Sequence, residues 1–115
     1  MTVFYTNRFI PEPHQAATRG PFIFIKPEYK DDKGLLEHEK VHRRQWLRTL
    51  GLHSLLYLFV PEYRLAAELE AFAEQATHYP DDRTLKFAHL IASNCGLKIT
   101  VASAHAALLE ELERA

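Results

Sequence analysis

With 115 residues, 14 basic against 15 acidic side chains and 47% apolar residues, the chain can bury one modest core at near-zero formal charge. Only 4 Gly and 6 Pro exclude a fibrous or generally disordered class, and Lys and Arg dispersed among carboxylates exclude phosphate-backbone binding, so no nucleic-acid partner is expected. The single cysteine, Cys95, closes no intramolecular disulfide, and the first residues lack a basic stretch followed by an apolar one, so a cytoplasmic location is the expectation.

Taken in chain order, Thr2–Thr6 and Phe22–Lys26 are rich in β-branched and aromatic residues, and turn formers bound both; they are expected to form a pair of short strands. Pro11 and Pro13 break regularity between them, and His14–Arg19 is left unassigned. A helix is expected from about Leu35, capped by Asp31 or Asp32, to about Leu50, where Gly51 stops it. Leu36, Leu47 and Leu50 are its expected inner face. Ser54–Phe59 forms a second helical stretch ending before Pro61, and a third helix, Glu62 to about His78, aligns Leu65, Leu69, Phe72 and Ala76 on one stripe. After Tyr79–Asp82 come a helix to about Ser93, a break at Asn94–Gly96 and a last helix from about Ser103 to Glu113. No stretch reaches the roughly 20 apolar residues that span a bilayer; the most apolar run, Leu50–Val60, is interrupted by Gly51, His53 and Ser54.

Residues 38–42 read His-Glu-Lys-Val-His inside the first helix, which places His38 and His42 four residues apart on one face. Two imidazoles at that spacing chelate one metal ion, for which Zn²⁺ is the natural choice, and Glu39 is turned toward the side of a reacting water as the candidate general base. Two histidines are too few for a catalytic zinc site, so a third donor is needed from elsewhere. The third helix offers Glu68 and Glu70, each at an edge of its apolar stripe, and periodicity does not choose between them.

The run Leu35–Trp46, followed by Tyr63-Arg64 and Glu68-Leu69-Glu70-Ala71, resembles the small phage-type and bacterial zinc metallopeptidases of the gluzincin kind, over residues 20 to 78. The resemblance implies an α+β fold in which a small N-terminal strand pair precedes a mainly helical, zincin-like body spanning 1–115. It implies a Zn²⁺ cofactor and hydrolysis of a peptide or protein substrate. Two registers of the downstream glutamate fit. Alignment on Ala71, the preferred one, makes Glu68 the ligand and leaves Phe72 where such families carry an acidic residue that orients a ligating histidine; alignment on Ala73 makes Glu70 the ligand, followed by Glu74. Such peptidases hold substrate as an added strand on a sheet edge, a role assigned here to Phe22–Lys26.

Tyr63, Tyr57 and His78 are the candidate donors to a developing oxyanion, Tyr63 being carried forward as a binding residue with Glu70. Gln45, one turn past His42, faces the same side and can bond a ligand. His14, His53, His89 and His105 fall in no ligand spacing, and Cys95 is expected to pack rather than react. The apolar block Leu52–Val60 is read as core, with a peripheral contact to a partner or membrane surface as the alternative. The competing functional class is an inactive zinc-stabilised structural or assembly protein, phage or prophage related.

Overall fold

The computed structural model describes residues 3–114 and has an α+β architecture, a three-stranded N-terminal sheet followed by five helices. Thr2, included in the first expected strand, lies outside the described residues. The strands are β1 (Val3–Tyr5), β2 (Ala16–Arg19) and β3 (Phe22–Ile25). Their order is β1-β3-β2, with β1 parallel to β3 and β2 antiparallel to it. Two corrections follow for the expected strand pair. The segment left unassigned supplies a third strand, and Phe22–Ile25 is the central strand, paired on both sides. It therefore offers no free edge; the edge beside the helical body belongs to β2. Alternation along β3 buries Ile23 and Ile25 against Leu35 and Ala16, while Phe24 stacks with Phe4 and Phe9 on the other face, with ring centroids 5.3 and 5.1 Å apart.

Helix α1 (Lys33–Arg48) begins at Asp32, whose Oδ1 accepts from the Leu35 N–H at 3.0 Å and from the Tyr79 hydroxyl at 2.6 Å. Gly34 faces Tyr79 so closely that a Cβ there would lie 2.6 Å from the ring. The helix ends where Leu50 and Gly51 adopt left-handed backbone angles (φ 53° and 86°) and the Gly51 N–H returns to the Trp46 carbonyl. Its buried face is the expected one only at Leu36, which packs partly buried against the cluster of Ile23, Ile25 and Leu35. Leu47 is 51% and Leu50 92% exposed, whereas Leu35, His38, Glu39, Val41, His42 and Gln45 are buried. The helix turns its polar chemistry inward, so the apolar stripe pointed to the wrong side.

Helix α2 (His53–Phe59) leads into α3 (Pro61–Ala76), whose first-turn proline suits a helix start. The block Leu52–Val60 is not core: Leu52, Leu55, Leu58 and Phe59 are exposed, the last at 75%. Seven residues on the surface of α3 bury only one side of themselves. Arg64 holds α2 in place by donating to the carbonyls of Tyr57 (2.7 Å) and Leu58 (2.8 Å), and to that of Gly96 at 3.2 Å.

Helices α4 (Thr84–Asn94) and α5 (Val101–Arg114) pack with α3 around Leu69, Phe72, Phe87, Ile91 and Leu108. Leu65 and Ala76 of the expected stripe flank that cluster. On its other side α3 presents Ala67 and Ala71, both buried, and these small side chains let α1 approach closely. Helix α3 thus serves an apolar core on one face and a polar site on another. Among the described residues no helix is long and apolar enough to cross a membrane.

Candidate metal centre

The i, i+4 spacing on α1 stacks His38 and His42 on the face that meets α3, and Glu68 projects from α3 between them. His38 Nε2 and His42 Nε2 are 3.2 Å apart, and Glu68 Oε1 lies 3.4 and 3.2 Å from them respectively. Four donors at about 2.0–2.1 Å from a tetrahedral Zn²⁺ are separated by about 3.3 Å, and the three observed edges, 3.2–3.4 Å, match that spacing. All three residues are buried, and their donor set of two imidazoles and one carboxylate suits that ion.

The orientation of His42 is set by its neighbours. Gln45 Nε2 donates to the Ala67 carbonyl (3.1 Å) and to Glu70 Oε1 (2.8 Å), which turns Gln45 Oε1 toward His42 Nδ1 at 2.9 Å. That oxygen only accepts, so His42 carries a proton on Nδ1, and Nε2 is the nitrogen turned to the centre. Glu70 is tied in turn to Arg48 at 3.0 Å. Of the two glutamates left open by the sequence, Glu68 joins the histidines and Glu70 supports them from behind through Gln45. Glu74 pairs with His78 at 3.1 Å, away from the cluster.

His38 has no comparable support. Its Nδ1 is enclosed without a hydrogen-bond partner among the described residues, and the Phe72 ring stands against it, centroids 4.4 Å apart and nearly perpendicular. The acidic residue that the resemblance leads one to expect at position 72 is replaced here by an aromatic contact.

Burial opposes the charge on both His42 and Glu68, but each outweighs that cost for the other. The Glu68 carboxylate, with Glu39 and Gln45 adding, pushes His42 up to about 9, and the two histidines hold Glu68 well below the usual carboxylate range. Without metal the centre is an ion pair. Tyr57 donates its hydroxyl to Glu68 Oε2, leaving Oε1 to face the histidines. Burial first and Glu68 second raise the Tyr57 phenol far above its ordinary value, so it remains a donor.

Glu39 is buried at 5% exposure beside the cluster, its Oε2 3.9 Å from His38 Nε2. Its Oε1 accepts from the hydroxyl of Thr18 at 2.7 Å, which links the helix to edge strand β2. A cavity of about 420 Å³ joins these groups, walled by β2, Tyr57, Phe72 and Gln75. Tyr63 is not on its wall; its hydroxyl bonds His53 Nδ1 at 2.7 Å. His53, which follows no ligand spacing in sequence, does line the cavity, as does Cys95, whose thiol burial pushes up to about 12. Thr18, Gln75 and His53 carry no motif, and only their placement by neighbouring elements identifies them. No protein-family model, curated protein or solved structure matches this chain.

Proposed function

We propose that this chain is a zinc-dependent peptidase. The observation that carries the proposal is the buried cluster of His38, His42 and Glu68 at tetrahedral edge lengths with Glu39 buried beside it. His38, His42 and Glu68 would hold Zn²⁺, which when bound supplies a Lewis acid for the scissile carbonyl and acidifies water. Gln45 keeps His42 in the tautomer that leaves Nε2 free, and Tyr57 restricts Glu68 to one oxygen. Glu39, fixed by Thr18, accepts the proton of the attacking water and delivers it to the leaving amine nitrogen. Among the described residues nothing pairs with the outer edge of strand β2, which lines the cavity, and this supports binding of an extended peptide as an added strand. The substrate class is accordingly a peptide or protein segment.

One observation favours a second reading, a zinc-stabilised structural or assembly protein: among the described residues His38 Nδ1 has no polar partner where Phe72 stands. Metal analysis with a peptide-library cleavage screen on wild type and Glu39→Gln separates the two. The peptidase reading expects both proteins to hold zinc and the variant to lose two to four orders of magnitude in turnover. Zinc binding without cleavage by wild type moves the assignment to the scaffold; no zinc in either protein removes both.

A further inference from the structure

Helix α2 is amphipathic with its apolar side outward. Tyr57 turns inward to Glu68, whereas Leu52, Leu55 and Phe59 recur at i, i+3 and i+7 on the exposed side with Leu58 beside them. The turn before α2 adds Leu47 and Leu50, and each of these six side chains is more than half exposed. Leu50 stands at a left-handed backbone angle where Gly or Asn is the ordinary choice, and it is the most exposed of them. Most carbonyls that the ends of α1 and α2 leave open are taken up within the chain. The Thr49 hydroxyl donates to those of Gln45 and Trp46, the Leu50 N–H to that of Leu47, and Arg64 to those of Tyr57 and Leu58. A segment whose carbonyls need little water enters an apolar phase at a reduced desolvation cost.

Charge borders this surface with one sign. From Lys40 to Pro61 the sequence carries four basic residues and no acidic one, and from Thr49 to Pro61 it carries no Asp, Glu, Lys or Arg at all. Lys40 pairs with Glu37 and Arg48 with Glu70, while Arg43 and the exposed Arg44 meet no carboxylate at ion-pair distance among the described residues.

We infer that the face formed by the end of α1, the turn and α2 docks on the surface of an anionic phospholipid bilayer, with Leu50, Leu55 and Phe59 entering among the acyl chains and Arg44 and Arg48 meeting the headgroups. An uncharged apolar surface beside basic side chains is the pattern that such an interface binds. A second copy is the poorer occupant, because joining this face to itself about a two-fold axis sets the same arginines against each other. Side chains as exposed as Leu50 and Phe59 stand clear of the protein, which suits insertion into a soft phase better than burial in a groove. Tyr57 and Leu58 also line the cavity, so docking brings its α2 end to the lipid surface. The inference depends neither on zinc nor on cleavage.

The test is binding to unilamellar vesicles of phosphatidylcholine alone or with about 30% phosphatidylserine, read by co-sedimentation and by tryptophan fluorescence. Trp46 is the sole tryptophan, and a Cβ at Gly51 would lie 3.6 Å from its ring, so it sits at the turn and reports on this face. Wild type is expected to bind the anionic vesicles at least about tenfold more tightly than the neutral ones, to lose most of that preference in about 0.5 M salt, and to show Trp46 quenched by lipids brominated on the acyl chain. Leu50→Asn with Phe59→Ser suits the left-handed backbone and replaces side chains that already face water; it is expected to melt within a few degrees of wild type while binding anionic vesicles at least about tenfold more weakly. Arg44→Gln is expected to cost about fivefold on anionic vesicles and nothing on neutral ones. Equal binding of wild type to the two vesicle types, absence of binding to both, unquenched Trp46, or undiminished binding by the double variant overturns the inference. A concentration-dependent dimer in sedimentation velocity that the double variant abolishes also overturns it and gives the face to a second copy.

Discussion

The turn of α1 bearing His42 and the turn bearing His38 are supported in opposite ways. His42 is held by a directional network: Gln45 fixes its tautomer, the Ala67 carbonyl and Glu70 fix Gln45, and Arg48 fixes Glu70. His38 is held by packing, its Nδ1 enclosed and its ring against Phe72, which itself packs on Phe87 at 5.0 Å in the α3–α4–α5 core. Hydrogen bonds specify where a proton sits, whereas an aromatic contact specifies mainly where a ring sits; a ring N–H over an aromatic face is worth only about 0.5–1 kcal/mol. The difference teaches that one end of the chelate is tuned by polar chemistry at the α1–α3 crossing and the other by the apolar core. Disturbance of that core should therefore reach His38 first.

The harshest way to break the comparison is to remove its subjects. His38→Ala with His42→Ala is expected to abolish stoichiometric zinc by metal analysis, along with the stabilisation of about 2.7 kcal/mol that zinc at 100 times its Kd gives wild type in thermal melts. Glu68→Ala follows closely, while Glu70→Ala weakens zinc far less; the reverse order would transfer the ligand role to Glu70.

Protons sharpen the comparison next, because they act on the His42 turn. Zinc must displace the His42 proton, so its affinity is expected to fall about tenfold for each unit of pH below about 9, as read by chelator competition. Metal-free protein behaves oppositely. The folded-state pKa of His42 lies above its ordinary 6.5, so its contribution is fully present below about 6.5 and lost as pH rises through about 9. The depressed Glu68 contributes stability above its ordinary carboxylate range that is lost on acidification. The metal-free melting temperature should accordingly be highest between about pH 5 and 6.5 and decline by several degrees toward pH 9.

The finest distinction lies between the two supports. Gln45→Leu is expected to weaken zinc about 10–100-fold, the usual cost of losing a partner that orients a ligand. Phe72→Leu keeps most of the core volume and should cost under about 1.5 kcal/mol in urea unfolding with only a few-fold change in zinc affinity. If Phe72→Leu loosens zinc as much as Gln45→Leu, the aromatic contact orients His38 as firmly as the polar network orients His42.

Local sequence was a good guide wherever the deciding interaction is local. The His38–His42 spacing, the Asp32 cap, the stop at Gly51 and the helix start at Pro61 depend on neighbours within one or two turns, and each is legible in the residues concerned. Strand β2 was not, because Ala16–Arg19 has little strand character and is extended only where β3 supplies its partner hydrogen bonds. The inner face of α1 was misread at Leu47 and Leu50 for a related reason. Burial of His38, Glu39, His42 and Gln45 is tolerated only because α3 and β2 bring partners for most of their polar atoms, and nothing within α1 announces those partners. Exposure of Leu52, Leu55 and Phe59 likewise depends on what α2 fails to meet. The residue types and the i, i+4 geometry of the chelate are written into α1 because a helix rises only about 1.5 Å per residue and holds its neighbours in fixed register. The choice of Glu68 over Glu70, and the arrival of His53 and Thr18 at the same cavity, belong to the packing of separate elements, since contacts between residues distant in sequence arise only when the whole chain has closed on itself.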